Sequence, residues 1–154
     1  MTGTQTNTAP PTRQGRSLAL EADPRRLAFE DWALSVIPEI KYVQGLLQEK
    51  LSDNPAQLIG DLQAIECWYG RMTKLLAGAN SYLDYNTNAE LPEKEKGITD
   101  TDRKAIVEAA VHQERRLRDE MDGVVRAIEL RISLGQSVIR ANAGEARHGS
   151  RHEA

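Results

Sequence analysis

The residues whose types could do chemistry in this chain are few: three histidines (His112, His148, His152), one cysteine (Cys67) and several acidic pairs. One pair, Glu108 and His112, has a spacing that could place both side chains on one metal. The His-Glu-x-x-His pattern of helical zinc sites does not occur. Glu108 and His112 stand four apart on one helical stretch, which the pattern explains as a solvated surface pair. Asp100 and Asp102 resemble the start of a calcium loop, but the loop's glycine and closing glutamate are missing, and capping accounts for both. Cys67 lies beside Trp68 with no histidine near it in sequence, so it is expected to be a small buried thiol. No glycine-rich phosphate loop occurs. The expectation is therefore no catalytic, cofactor-binding or metal residue, no small-molecule substrate, and a protein that is not an enzyme.

The remaining charges point to a solvated surface. Glu114–Arg118, Arg115–Asp119, Arg116–Glu120 and Asp122–Arg126 are each four apart, and such pairs contribute a few tenths of a kcal/mol on an exposed helix. The chain carries 20 basic and 23 acidic residues, a formal net charge of −3. Residues 99–141 hold eight of each sign and net to zero, whereas phosphate binding needs a face where cations outnumber anions. Arg13, Arg16, Arg147 and Arg151 near the termini could add weak contacts. Nucleic acid is a possible partner but not the favoured one. No stretch approaches the 18 apolar residues of a membrane span, and no signal peptide is evident. One cysteine suits a reducing compartment, and a soluble cytoplasmic protein is expected.

The elements that carry these residues follow from apolar spacing. Aromatics make up 5% of the chain and no long period-two run occurs, which indicates an all-α protein. Residues 1–22, rich in Thr, Gln, Gly and Pro, are expected to be a disordered tail. Asp23-Pro24 reads as the start of a first helix over 24–52, with Phe29, Trp32, Val36, Ile40, Val43, Leu47 and Leu51 on its apolar face. Pro38 would kink or split it near Leu34. Asn54-Pro55 starts a second helix over 55–84, with Gln57 as a capping-box partner. Its seam is Leu58, Leu62, Ile65, Tyr69, Met72, Leu76, Ala79 and Leu83, widened by Trp68, Leu75 and Tyr82.

Thr99 to Asp102 caps a third helix over 99–141. Its apolar positions Ile106, Ala110, Leu117, Met121, Val124, Ile128, Ile132, Gly135 and Ile139, with Gln113 in the one polar slot, repeat every eleven residues. Asn142 and Gly144 are expected to end it, leaving 142–154 disordered. The short 52–54 connection makes neighbours antiparallel. The architecture predicted is an elongated antiparallel three-helix bundle over 23–141, with coiled-coil-like packing and one long C-terminal helix.

Past residue 126 that helix bears a second apolar line, Ala127, Leu130, Leu134, Val138 and Ala141, beyond Arg131 from the Ile128 line. Two neighbours do not need so wide a face. The surplus predicts an interface of Ala127, Leu130, Arg131, Leu134 and Val138 with another protein or a second copy. The alternative is cover by Leu27, Phe29 and Trp32 of the first helix. Glu66-Cys67-Trp68-Tyr69 and Arg131-Ile132-Ser133-Leu134-Gly135-Gln136-Ser137 resemble segments of small, uncharacterised helical proteins encoded by bacteriophages. The resemblance covers about residues 55–140 and implies a phage protein in the host cytoplasm, working by association in a virion or in a replication or recombination complex. The function expected is a non-enzymatic helical association module, an oligomerisation or adaptor protein. The alternative is an accessory nucleic-acid-binding protein.

Overall fold

The computed structural model describes residues 20–91 and 97–149, with side chains through 144. What was expected of residues 1–19, 92–96 and 150–154 lies outside the described residues. All regular structure among the described residues is α-helical: α1 Phe29–Gln48, α2 Pro55–Ala89, α3 Asp100–Ala110 and α4 His112–Gly149.

The first helix starts later than its proline suggests. The Asp23 carbonyl accepts from the backbone N–H of Arg26 (2.9 Å) and Leu27 (3.0 Å), closing a single turn. Ala28 is then extended, with ψ of 147°, so α1 begins at Phe29 and not at Pro24. The turn folds the preceding residues onto the helices. Leu20 N–H donates to Ser35 Oγ at 3.2 Å, and Ala22 packs on the core, so this end of the expected tail is docked. Pro38 sits inside α1, which stays one helix to Gln48. Pro38 and Leu34 are both exposed, so the carbonyl that lost its donor faces water.

Asn54 caps α2 as its type dictates, accepting from Ala56 N–H at 3.0 Å ahead of Pro55. Gln57 does not reciprocate; its side-chain oxygen accepts from Ser52 Oγ at 2.9 Å, while Ser52 N–H donates to Asp61. The helix runs to Ala89, five residues past the expected end. Its buried line is Leu58, Leu62, Ile65, Trp68, Met72, Leu75, Ala79 and Tyr82. From Ile65 onward the seven-residue rhythm holds but is carried by Trp68, Leu75 and Tyr82; Tyr69, Leu76 and Leu83 flank it.

The third expected helix is two. Thr99 and Asp102 form a complete capping box at the start of α3, and the Thr99 hydroxyl and N–H hold the Asp102 carboxyl below its usual range. At Val111 ψ is 21°, and the chain bends between α3 and α4. The cause is phase: Val107 and Val111 are buried where Ile106 and Ala110 were expected, and Ile106 is 48% exposed. Glu114 replaces Gln113 as the polar residue on the inner face. From Leu117 the expected line holds through Met121, Val124 and Ile128. Asn142 and Gly144 do not end α4, which continues to Gly149. Gly144 takes no positive φ, the conformation a glycine stop requires; among the described residues only Gly97 does, at 108°.

Cross-helix bonds fix the directions. Asn86 to Glu114 (2.6 Å) at one end and Tyr69 to Glu129 (2.8 Å) further along make α2 and α4 antiparallel. Tyr82 to the Leu27 carbonyl and Arg71 to Glu39 make α1 antiparallel to α2, so α1 runs parallel to α4. The core lies between these three helices. Its densest part is aromatic: Trp32 stacks on Tyr82 with centroids 4.9 Å apart, and Phe29 meets Tyr82 edge-on at 5.8 Å.

Two features of this packing set measurable expectations. Arg71 grips the buried Glu39 carboxylate with both Nε (2.7 Å) and Nη2 (2.8 Å), which pushes the guanidinium pKa still higher. Glu39→Ala alone should cost about 3 kcal/mol in urea unfolding, because it strands a partly buried cation; Glu39→Leu with Arg71→Met should recover most of that loss. Gly78 lies under the N-terminal turn, and a Cβ there would stand 2.6 Å from Ala22 Cβ and 3.0 Å from the Trp32 ring. Gly78→Ala should therefore lower stability by about 1–3 kcal/mol despite alanine's better helix propensity. A raised thermal midpoint would contradict that packing.

Candidate interaction face

The face singled out by sequence lies on the last two-thirds of α4. Ile128 is fully buried, Ile132 and Ile139 are half-buried, and Gly135 is buried against α2. A Cβ on Gly135 would stand 2.5 Å from Leu62 Cδ2, so the Leu62 side chain fills the space that a side chain at 135 would need. One side of α4 is thereby committed to α2. On the adjoining flank Glu120 accepts from Gln44 at 3.0 Å, and Arg131 Nη1 donates to the Leu47 carbonyl at 2.6 Å, so α1 covers it there.

The cover stops at Arg131. α1 ends at Gln48, and Leu46, Leu51, Asp61 and Arg131 line one recess where the chain turns back into α2. At 100° per residue, Ala127, Leu134 and Val138 fall within about 40° of Glu120 around the α4 axis. Leu134 and Val138 continue the α1-facing flank beyond the end of α1; Ala127 is level with α1, and Leu130 is turned about 80° from Glu120, away from it. Leu130 is 62% exposed, Leu134 57% and Val138 47%; Ala127 and Ala141 are exposed as well. The other exposed large apolar side chains, such as Leu34 and Ile59, show no such i, i+4, i+8 alignment.

Of the five residues expected at an interface, four are thus brought to one open stripe. The fifth, Arg131, is half-buried and satisfies a carbonyl at the C-terminal end of α1, where a cation also complements the helix dipole. It is held within the chain. Cover by Leu27, Phe29 and Trp32 does not occur, because α1 runs parallel to α4. Phe29 and Ala33 lie with His112, Arg116 and Leu117, at the opposite end.

The chemistry-bearing residues are dispersed. Cys67 is exposed on α2, not buried as expected, because the inner line passes through its neighbour Trp68. Glu108 pairs with Arg115 at 3.4 Å in place of a contact with His112. Of the four expected ion pairs on α4, Asp122–Arg126 forms at 2.8 Å. Arg118 meets Asp119 instead, and Glu114 accepts from Asn86. Among the described residues no three His, Cys, Asp or Glu side chains gather as a metal-binding group. None of the helices described is long and apolar enough to cross a membrane. Sequence reasoning missed Glu39 and Arg71; the available signal was a carboxylate at the core phase between Val36 and Val43.

The chain matches no protein-family model, and comparison with curated proteins and with solved structures finds no match.

The Arg131 contact sets an expectation for the end of α1. Arg131→Ala should cost about 1.5–3 kcal/mol, the usual worth of a hydrogen bond from a charged donor, with faster amide exchange confined to the last turn of α1. Unchanged exchange there would mean that the carbonyl finds an equal partner in water.

Proposed function

We propose that this chain is a non-enzymatic association module. In this reading it is an antiparallel three-helix bundle, packed in the manner of a coiled coil, that receives an apolar helix on the C-terminal part of α4. The observation that carries the reading is the stripe of Leu130, Leu134 and Val138, open to solvent beside and beyond the flank that α1 occupies up to Arg131. A helix laid along it would take the place α1 vacates, in the helix-in-groove mode. Burying the exposed half of each of those side chains would contribute about 1 kcal/mol apiece. Such a sum suits a reversible contact better than a permanent one. The resemblance to small phage-encoded helical proteins suggests the setting, an assembly in a virion or in a replication or recombination complex.

Leu134→Asp tests the reading directly. Because Leu134 is exposed, the variant should keep its far-ultraviolet circular dichroism and a thermal midpoint within about 2 °C in dilute solution. It should lose the species above monomer mass that chemical cross-linking of the full chain traps in cell extract. Loss of helix would assign Leu134 to the core. An unchanged set of cross-linked species would place association elsewhere. Either result overturns the proposal.

A further inference from the structure

We infer that the helix received by this face is α4 of a second copy, running antiparallel about a two-fold axis at Leu134. The inference rests on the association reading above and deepens it by naming the occupant. Its first support is the order of the stripe. Ala127, Leu130, Leu134, Val138 and Ala141 are spaced three, four, four and three, and small, large, large, large and small in size. Both sequences are the same read backwards. A two-fold interface is isologous, so a surface meets its own image reversed. Leu134 then faces the partner's Leu134, Leu130 faces the partner's Val138, and Ala127 faces the partner's Ala141. The small residues at both ends let the helices close on the three large layers.

Charge supplies the second support. Side by side in register, parallel copies would set Arg126 against the partner's Arg126 and Arg140 against the partner's Arg140, and like charges so placed repel. The antiparallel register sets Arg126 against the partner's Asn142 and Arg131 level with the partner's Ser137. No like charges between residues 126 and 142 then oppose one another. The third support is access: all five residues of the stripe are exposed, including Ala127 and Leu130, which lie level with the last turns of α1.

Disulfide formation in the full chain reads the register. Cys67 is exposed and is first replaced, as Cys67→Ser, so that only introduced thiols report. Under mild oxidation Leu134→Cys should join to itself as a covalent dimer. Leu130→Cys alone should not, since the two copies of residue 130 would lie eight residues apart along the axis, about 12 Å. Mixing Leu130→Cys with Val138→Cys should give the mixed disulfide. Sedimentation of the unmodified chain should show a concentration-dependent species of twice 17.1 kDa. Self-joining at all three positions would mean a parallel pair and overturn the inference. A monomer at every concentration, with no disulfide at any position, would overturn it too. In that case cross-links in extract that Leu134→Asp removes would leave the association reading standing with a different protein as occupant; their absence would end both.

Discussion

The rest of the structure depends on the antiparallel contact of α2 with α4. It runs from Gly135 seated against Leu62 to Asn86 bonded to Glu114. These helices have 35 and 38 residues, about 52 and 57 Å at the usual rise. α1, with 20 residues, is about 30 Å long. A short helix laid on a long pair covers part of it only. Where α1 lies, the three inner faces bury Trp32, Val36, Ile40, Met72, Met121 and Ile128 almost completely. Where it stops, α4 keeps an apolar flank without a neighbour.

Polar groups fix where along the contact each helix sits. Glu39 with Arg71, Asn86 with Glu114, and Arg131 with the Leu47 carbonyl each tie one named position to another, on three different pairs of helices. Buried ion pairs contribute little net stability, since desolvation offsets much of their attraction. Their effect is on alternatives. Sliding α2 by one heptad would keep an apolar line facing inward but would strand Glu39 and Glu114, both buried carboxylates. Apolar periodicity allows several registers, and a buried carboxylate disfavours any register that leaves it without a partner.

The all-α class, the capped starts at Asn54 and Thr99 and the inner line of α4 from Leu117 were legible in the sequence, because each rests on a local pattern. The phase of α2 was not. Trp68 and Tyr69, Leu75 and Leu76, and Tyr82 and Leu83 are adjacent apolar pairs, and a seven-residue rhythm fits either member. The aromatic cluster decides among them, since Tyr82 must reach Trp32 and Phe29, which lie 50 and 53 residues earlier. The same ambiguity hid the bend at Val111. Ile106 with Ala110 and Val107 with Val111 are equivalent candidates until Glu114 finds Asn86. The exposure of Cys67 follows from the phase of α2, one step along the helix from Trp68.

The open stripe shows how topology settles what periodicity leaves undecided. A second apolar line past Arg126 is visible in the sequence, but whether α1 covers it is not a property of that line. Two reversals of chain direction answer it together. A connection of six residues, 49–54, reverses the chain between α1 and α2, and the α2–α4 contact reverses it again. Two reversals return α4 to the direction of α1. The aromatic N-terminal end of α1 must then lie beside the N-terminal half of α4, where Phe29 and Ala33 meet Leu117. No adjustment of α1 can bring Phe29 or Trp32 to Leu134, because that would require the first helix to run the other way. The exposure of Leu134 and Val138 is thus a consequence of helix order and of an α1 that ends at Gln48, whatever side chains α1 carries.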